Sequence, residues 1–238
     1  MIGTWITIPD STIAEILSLS KFDFFVIDMQ HSIITLDKMM DIIRAIRTNS
    51  KSEIYVRIDI NSFTINKCLD AGVDGIIIPN IETESQINEI IKFARYPPIG
   101  KRSVGLQRAQ EYGLKLDEYY EISRRIKIII QIESKVGYLN AERLLSMDID
   151  GYILGPYDLS KDMDYTKEDV DEGKLKDVET RLIYIAKKHN KSAGYHIVHP
   201  NKELIDNKKK LGYNMIILGV DSIMLLDKSI EVYGIGKE

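Results

Sequence analysis

Eight short runs of apolar, mostly β-branched residues recur along the chain, at Thr4–Pro9, Phe24–Met29, Ile54–Ile58, Gly75–Pro79, Ile128–Glu133, Tyr152–Gly155, Ala193–Val198 and Met215–Gly219. Between them lie segments whose apolar residues repeat with helical period, such as STIAEILSLS, LDKMMDIIRAIR, ESQINEIIKFAR, GYLNAERLLSM and DVETRLIYIAKKH. NKELIDNKKKLG has the same pattern and closes on Gly212, which predicts a helix stop there. The strand runs are nearly continuous in apolar residues, as parallel strands covered on both faces are. Eight strand–helix repeats of this length predict an α/β fold, a (β/α)8 barrel, as a single domain over residues 1–238. A doubly wound open sheet would carry a glycine-rich first turn, and ITIPDS has none.

A barrel of this kind places its chemistry at the C-terminal ends of its strands. Polar residues gather there: Asp28 and His31 at the end of the second strand, Arg57 on the third, Gln131 and Glu133 on the fifth, Asp158 after the sixth, His196 and His199 near the end of the seventh, Asp221 near the end of the eighth. The run KIIIQIE poses the sharpest question, because a carboxylate at the end of an apolar strand is costly unless something binds it. Glu133 and Asp158 are one βα unit apart and so end neighbouring strands. Two carboxylates with no thiolate and no clear histidine partner make a hard oxygen site, suited to Mg²⁺ or Mn²⁺. The competing reading has Glu133 capping a helix or paired with a lysine, and Asp158 capping the next segment.

Arg57 suits a clamp for a carboxylate or an enolate oxygen, or equally a structural ion pair with Glu133 or Asp28. His31, close to Asp28, suits a general base oriented by a carboxylate. The glycine–proline pair of GPYDLS bends the chain and offers backbone N–H groups to an anion. RYPPIGKRS reads as a stiff loop after the fourth helix, a lid or a plain connection.

Composition narrows the partners. The net charge of −4 argues against nucleic acid or an anionic membrane surface. One cysteine, Cys68, allows neither an intrachain disulfide nor a cysteine zinc site. No apolar run reaches a membrane span and the start lacks a signal-peptide pattern, so a cytoplasmic protein is expected.

With these residues in place, the sequence resembles the HpcH/HpaI aldolases, the metal-dependent (class II) pyruvate aldolases. The resemblance covers nearly the whole chain, through GTW, IDMQH, VR, CLDAGVDGIIIPNIET, ARYPPIGKRSVG, QIES, GPYDLS and LGVDS in order. It implies a (β/α)8 barrel that cleaves, or forms, 4-hydroxy-2-oxo acids to pyruvate and an aldehyde through a pyruvate enolate held at Mg²⁺, Mn²⁺ or Co²⁺. By the same resemblance Glu133 and Asp158 are the metal ligands, and Gln131 with the backbone around Tyr157 and Asp158 holds the pyruvate unit. Arg57 stabilises the enolate, His31 moves the proton, Asp70 raises the basicity of that histidine, and Trp5 lies near the substrate. Read from the chain alone, Asp28 is the nearer candidate to orient His31, since Asp70 precedes the fourth strand.

The resemblance further implies a homo-oligomer, a hexamer built from dimers with the last helix packed on a neighbour; SIMLLDKSIEVYGIG is apolar enough for that, or for packing on its own barrel. The expected partner is a small 2-oxo acid. Another carbon–carbon lyase or synthase on the same scaffold, acting on a different oxo acid or a CoA ester, is the alternative. Gln30, Ile58, Ser103 and Asp164 depart from the family's usual Glu, Pro, Gly and Gly, which bears on specificity more than on reaction type. The chain opens directly on its first strand, without the leading helix of many relatives, which implies a differently closed barrel floor.

Overall fold

The computed structural model describes residues 1–171 and 173–236. Eight parallel strands close into a barrel in sequence order: β1 (Ile2–Ile6), β2 (Phe24–Asp28), β3 (Glu53–Arg57), β4 (Gly75–Ile78), β5 (Lys127–Ile132), β6 (Gly151–Leu154), β7 (Ser192–Ile197) and β8 (Met215–Val220). The helices between and after them are α1 (Ser11–Ser18), α2 (Leu36–Asn49), α3 (Ser62–Asp70), α4 (Glu84–Ala94), α5 (Leu116–Ser123), α6 (Lys135–Leu139), α7 (Ala141–Ser146), α8 (Pro156–Asp162), α9 (Lys167–Asp171), α10 (Lys174–Lys188), α11 (Lys202–Leu211) and α12 (Asp221–Ile235). The (β/α)8 expectation holds for all eight strands.

The continuous apolar runs have a physical reason. Successive strand residues point alternately into the barrel and out to the helices. Inside, Trp5, Phe24, Val26, Tyr55, Ile77, Ile129, Ile153, Met215 and Ile217 form one buried cluster. The alternate residues, such as Phe25, Ile27, Ile54, Val56, Ile128 and Ile130, join the larger layer beneath the helices. Following the inward set to the strand ends gives Asp28 after Val26, Arg57 after Tyr55 and Gln131 after Ile129. The period of two therefore turns apolar filling into a polar rim at one end.

Two local expectations change, and a third feature resolves between its two readings. The first strand runs over Ile2–Ile6 instead of Thr4–Pro9, because the Asp221 carboxylate, and no neighbouring strand, takes the N–H groups of Thr7 and Ile8. The helical segment at 137–147 is two short helices broken at Asn140, whose side-chain amide donates to the Glu82 carbonyl. The 95–103 loop is not a lid over the rim of its own barrel. It leaves the C-terminal end of α4 and is held to it by Lys101 N–H to Lys92 O and Arg102 N–H to Arg95 O. The segment lies beside the end of the barrel where strands begin, opposite the rim. Gly212 ends α11 at φ +123°, as the helix-stop reading expects, and Asp164 adopts φ +54° where the family usually has glycine.

Candidate active site

Asp28 and Arg57 are register partners on β2 and β3, so both project inward at the rim side by side. Arg57 Nε donates to Asp28 Oδ1 at 2.9 Å and an Nη to Oδ2 at 2.6 Å, a bidentate pair with both side chains buried. The guanidinium lies 4.3 Å from the Trp5 ring centroid and turns its other Nη toward Gln131 Oε1 at 3.3 Å. The Gln131 amide in turn donates to Glu133 Oε2. One hydrogen-bonded chain thus runs Asp28–Arg57–Gln131–Glu133 across β2, β3 and β5. The structural ion pair weighed for Arg57 is present, with Asp28 as partner, and leaves one guanidinium edge facing Gln131.

Glu133 is 7% exposed and its second oxygen accepts from Asn80 N–H at 2.9 Å. Asn80 sits just past β4 at φ +55°, a left-handed conformation that asparagine tolerates better than most residues. Burial pushes the Glu133 carboxyl above the usual carboxylate range and the Asp158 charge adds to this, against the Asn80 N–H, Arg57 and Gln131. Asp158 stands exposed in the first turn of α8. Gly155, between them, is packed so closely that a Cβ there would lie 2.7 Å from Glu133 Cβ and 2.9 Å from its Oε2.

These features fit a divalent cation. Arg57 is neutralised by Asp28, and among the described residues neither Glu133 nor Asp158 has a basic side chain in ion-pair contact. A buried carboxylate with spare lone pairs beside a second carboxylate is a donor set for a hard cation that takes its remaining ligands from water or substrate oxygens. Among the described residues no group of three His, Cys, Asp or Glu side chains gathers for a metal.

Beside this chain, a cavity of about 300 Å³ is lined by Trp5, Thr7, Asp28, His31, Arg57, His196, Val220 and Ser222. His31 is exposed at its wall; the Asp28 carboxylate accepts the backbone N–H of Gln30 at 3.0 Å and of His31 at 3.2 Å, and so fixes the turn that carries the imidazole.

Most of the expected residues meet here, the exception in position being Asp70. Tyr157 is 76% exposed, so its ring stands out from the rim and only its backbone is near the carboxylates. Asp70 ends α3 at the opposite end of the barrel and bonds Arg102 Nη at 2.6 Å. Arg102 is fully buried between Tyr96 and Tyr119. Within one chain the structure does not bring Asp70 to His31. Sequence reasoning left His196 unassigned and did not single out Asn80, Thr7 or Ser222; an asparagine after a proline at a strand end was the one legible signal among them.

The family model for HpcH/HpaI aldolase/citrate lyase matches residues 1–227. The chain belongs to this family. It is 29% identical over 226 residues to a 2-keto-3-deoxy-L-rhamnonate aldolase of Klebsiella pneumoniae, covering 94% of this chain and 84% of the relative. An HpcH/HpaI aldolase/citrate lyase family protein of Burkholderia cenocepacia superposes with a TM-score of 0.92 at 23% identity, over 100% of this chain and 95% of that one. An HpcH/HpaI aldolase of Desulfitobacterium hafniense superposes with a TM-score of 0.89 at 21% identity, over 100% and 92%. These structures share the barrel, and family membership makes the chain an enzyme of the aldolase/lyase kind. Among the described residues no helix is long and apolar enough to cross a membrane.

Proposed function

We propose that the protein is a divalent-metal-dependent aldolase that cleaves, or forms, a 4-hydroxy-2-oxo acid, with pyruvate and an aldehyde as the two halves. The observation that carries this reading is the Asp28–Arg57–Gln131–Glu133 chain, which holds a guanidinium edge beside a buried carboxylate that has no basic partner among the described residues. The name of the curated relatives specifies a 2-keto acid, the same substrate class.

Glu133 and Asp158 would hold the cation, which when bound supplies Lewis-acid polarisation of the keto group. Gln131 and the backbone around Tyr157 and Asp158 position the pyruvate half. His31, at the cavity wall, takes the proton of the C4 hydroxyl as the C3–C4 bond breaks. Arg57 faces the negative charge that develops on the enolate oxygen, and because Asp28 and Trp5 fix it beforehand, little reorganisation is needed at that moment. Protonation at C3 then releases pyruvate. Lys127 is not a Schiff-base candidate: it starts β5, at the opposite end, and pairs with Asp150 at 3.5 Å.

Assembly follows the same reading. Of α12 only Asp221 is buried, while Leu225, Leu226, Ile230, Val232 and Ile235 are each more than half exposed. We infer that this helix packs on a second copy of the chain in a homo-oligomer.

Exchange of the C3 protons of pyruvate in D₂O, followed by NMR with Mn²⁺ or Mg²⁺ and an EDTA control, tests the chemistry without the aldehyde. Metal-dependent exchange that is lost in Glu133→Ala and in Arg57→Ala supports the reading. No exchange with any metal overturns it.

A further inference from the structure

We propose that Asn80 is a positioning residue for Glu133, and that its left-handed backbone, rather than its side chain, sets how tightly the carboxylate site takes a divalent cation. The inference rests on the metal-dependent reading of the site and deepens it by naming what holds Glu133 ready.

Among the described residues Glu133 accepts two hydrogen bonds, one on each oxygen: from the Asn80 backbone N–H at 2.9 Å and from the Gln131 side-chain amide. Each oxygen keeps a lone pair free. Rotation of a carboxylate about its last torsion is soft, so a single donor leaves the plane of the group free to turn. Two donors on opposite oxygens fix it. The Gln131 donor comes from β5, the strand that leads into Glu133. The Asn80 donor comes from the end of β4 and depends on a backbone angle that most residues avoid, φ +55°.

That angle is imposed from both sides. Pro79 and Ile81 are buried, and Ile81 N–H reaches the Gln131 carbonyl at 3.4 Å, while Asn80 between them is exposed. Gln86, in the first turn of α4, closes the loop. Its Nε2 donates to Asn80 O at 3.0 Å, and its Oε1 accepts the N–H groups of Glu82 and Thr83, both at 2.9 Å. Asn140 Nδ2 holds the Glu82 carbonyl at 2.8 Å. Gly137 lies so close to the turn that a Cβ there would meet Ile81 O at 2.7 Å. A connection that only led β4 into α4 would need neither a left-handed residue nor these braces from the β5 side.

Because Asn80 is exposed, a residue that resists the left-handed region can relax there without opening the core. The N–H then leaves Glu133, and only molecules that keep the turn hold the cation well. Apparent affinity falls by that fraction. Asparagine tolerates the angle and glycine adopts it freely, whereas a β-branched residue there is a steric outlier.

The test is Mn²⁺ binding to the protein without substrate, read from the electron paramagnetic resonance signal of free Mn²⁺, with Glu133→Ala to identify the site. Asn80→Gly removes the side chain and keeps the angle, so its dissociation constant should stay within about twofold of wild type. Asn80→Val should bind about tenfold or more weakly, with Asn80→Ala between. The number of sites in each titration reports the folded fraction and the dissociation constant reports the site, so a variant that merely folds poorly loses sites and not affinity. If Asn80→Val is insoluble, Asn80→Ala against Asn80→Gly decides. A wild type that binds Mn²⁺ while Asn80→Val matches it, or while Asn80→Gly is weakened as much as Asn80→Val, overturns the positioning role and leaves the metal-dependent reading standing. A wild type that binds no Mn²⁺, or binds it equally well in Glu133→Ala, overturns both.

Discussion

Arg57 and Asp28 meet at the rim in a bidentate pair, with donor–acceptor distances of 2.6 and 2.9 Å and both side chains buried. Removing one partner of such a pair strands the other charge away from water. Asp28→Ala is therefore expected to cost about 3–5 kcal/mol in urea unfolding. Replacing both, as in Asp28→Leu with Arg57→Met, should cost less than the sum of the single changes, as a double-mutant cycle would show.

Gly155 makes a second, sharper case for the carboxylate pair. A methyl at this position meets Glu133 Cβ at 2.7 Å and Oε2 at 2.9 Å, closer than real Cβ contacts allow. Gly155→Ala should displace the Glu133 carboxylate and abolish metal-dependent proton exchange, while far-UV circular dichroism keeps the barrel signal. Unchanged exchange would mean that Glu133 does not need its observed position.

His196 links stability to pH. Its folded-state value is lowered to about 4 from the ordinary 6.5, chiefly by burial, so the folded protein binds fewer protons than the unfolded chain in that window. The stability is fully present above pH 6.5 and is lost as pH falls toward 4. The loss attributable to this residue is about 3 kcal/mol at most. Urea midpoints of wild type and His196→Leu at pH 7 and 4.5 should show a smaller pH-dependent drop in the variant.

At the other end of the barrel, Asp70 is the carboxylate paired with Arg102, whose side chain is fully buried. Asp70→Ala is expected to destabilise the fold by about 3 kcal/mol, and Asp70→Ala combined with Arg102→Met by less. Thermal unfolding of the three proteins checks this.

The exposed apolar face of α12 predicts a mass above that of one chain in light scattering. Leu226→Glu with Ile230→Glu should shift the protein toward the monomer; a monomeric wild type would remove the assembly claim.

Much of this was legible in the chain. The apolar runs and their spacing determined the barrel, because a strand buried on both faces needs apolar residues at every position and a parallel neighbour needs a helix-length return. The polar residues ending those runs marked the rim, and Trp5, His31, Arg57, Gln131, Glu133 and Asp158 were all readable as strand-end chemistry or by resemblance. Pairings were not legible. That Arg57 takes Asp28 and leaves Glu133 without a basic partner follows from strand register and inward rotation, which no single segment encodes. The same holds for His196, whose neutral, acceptor state depends on burial and on the Gly219 carbonyl of another strand. Local periodicity sets which residues face inward; only closure of the sheet, by bringing distant strands within hydrogen-bond reach, decides which charges are balanced and which remain to bind something.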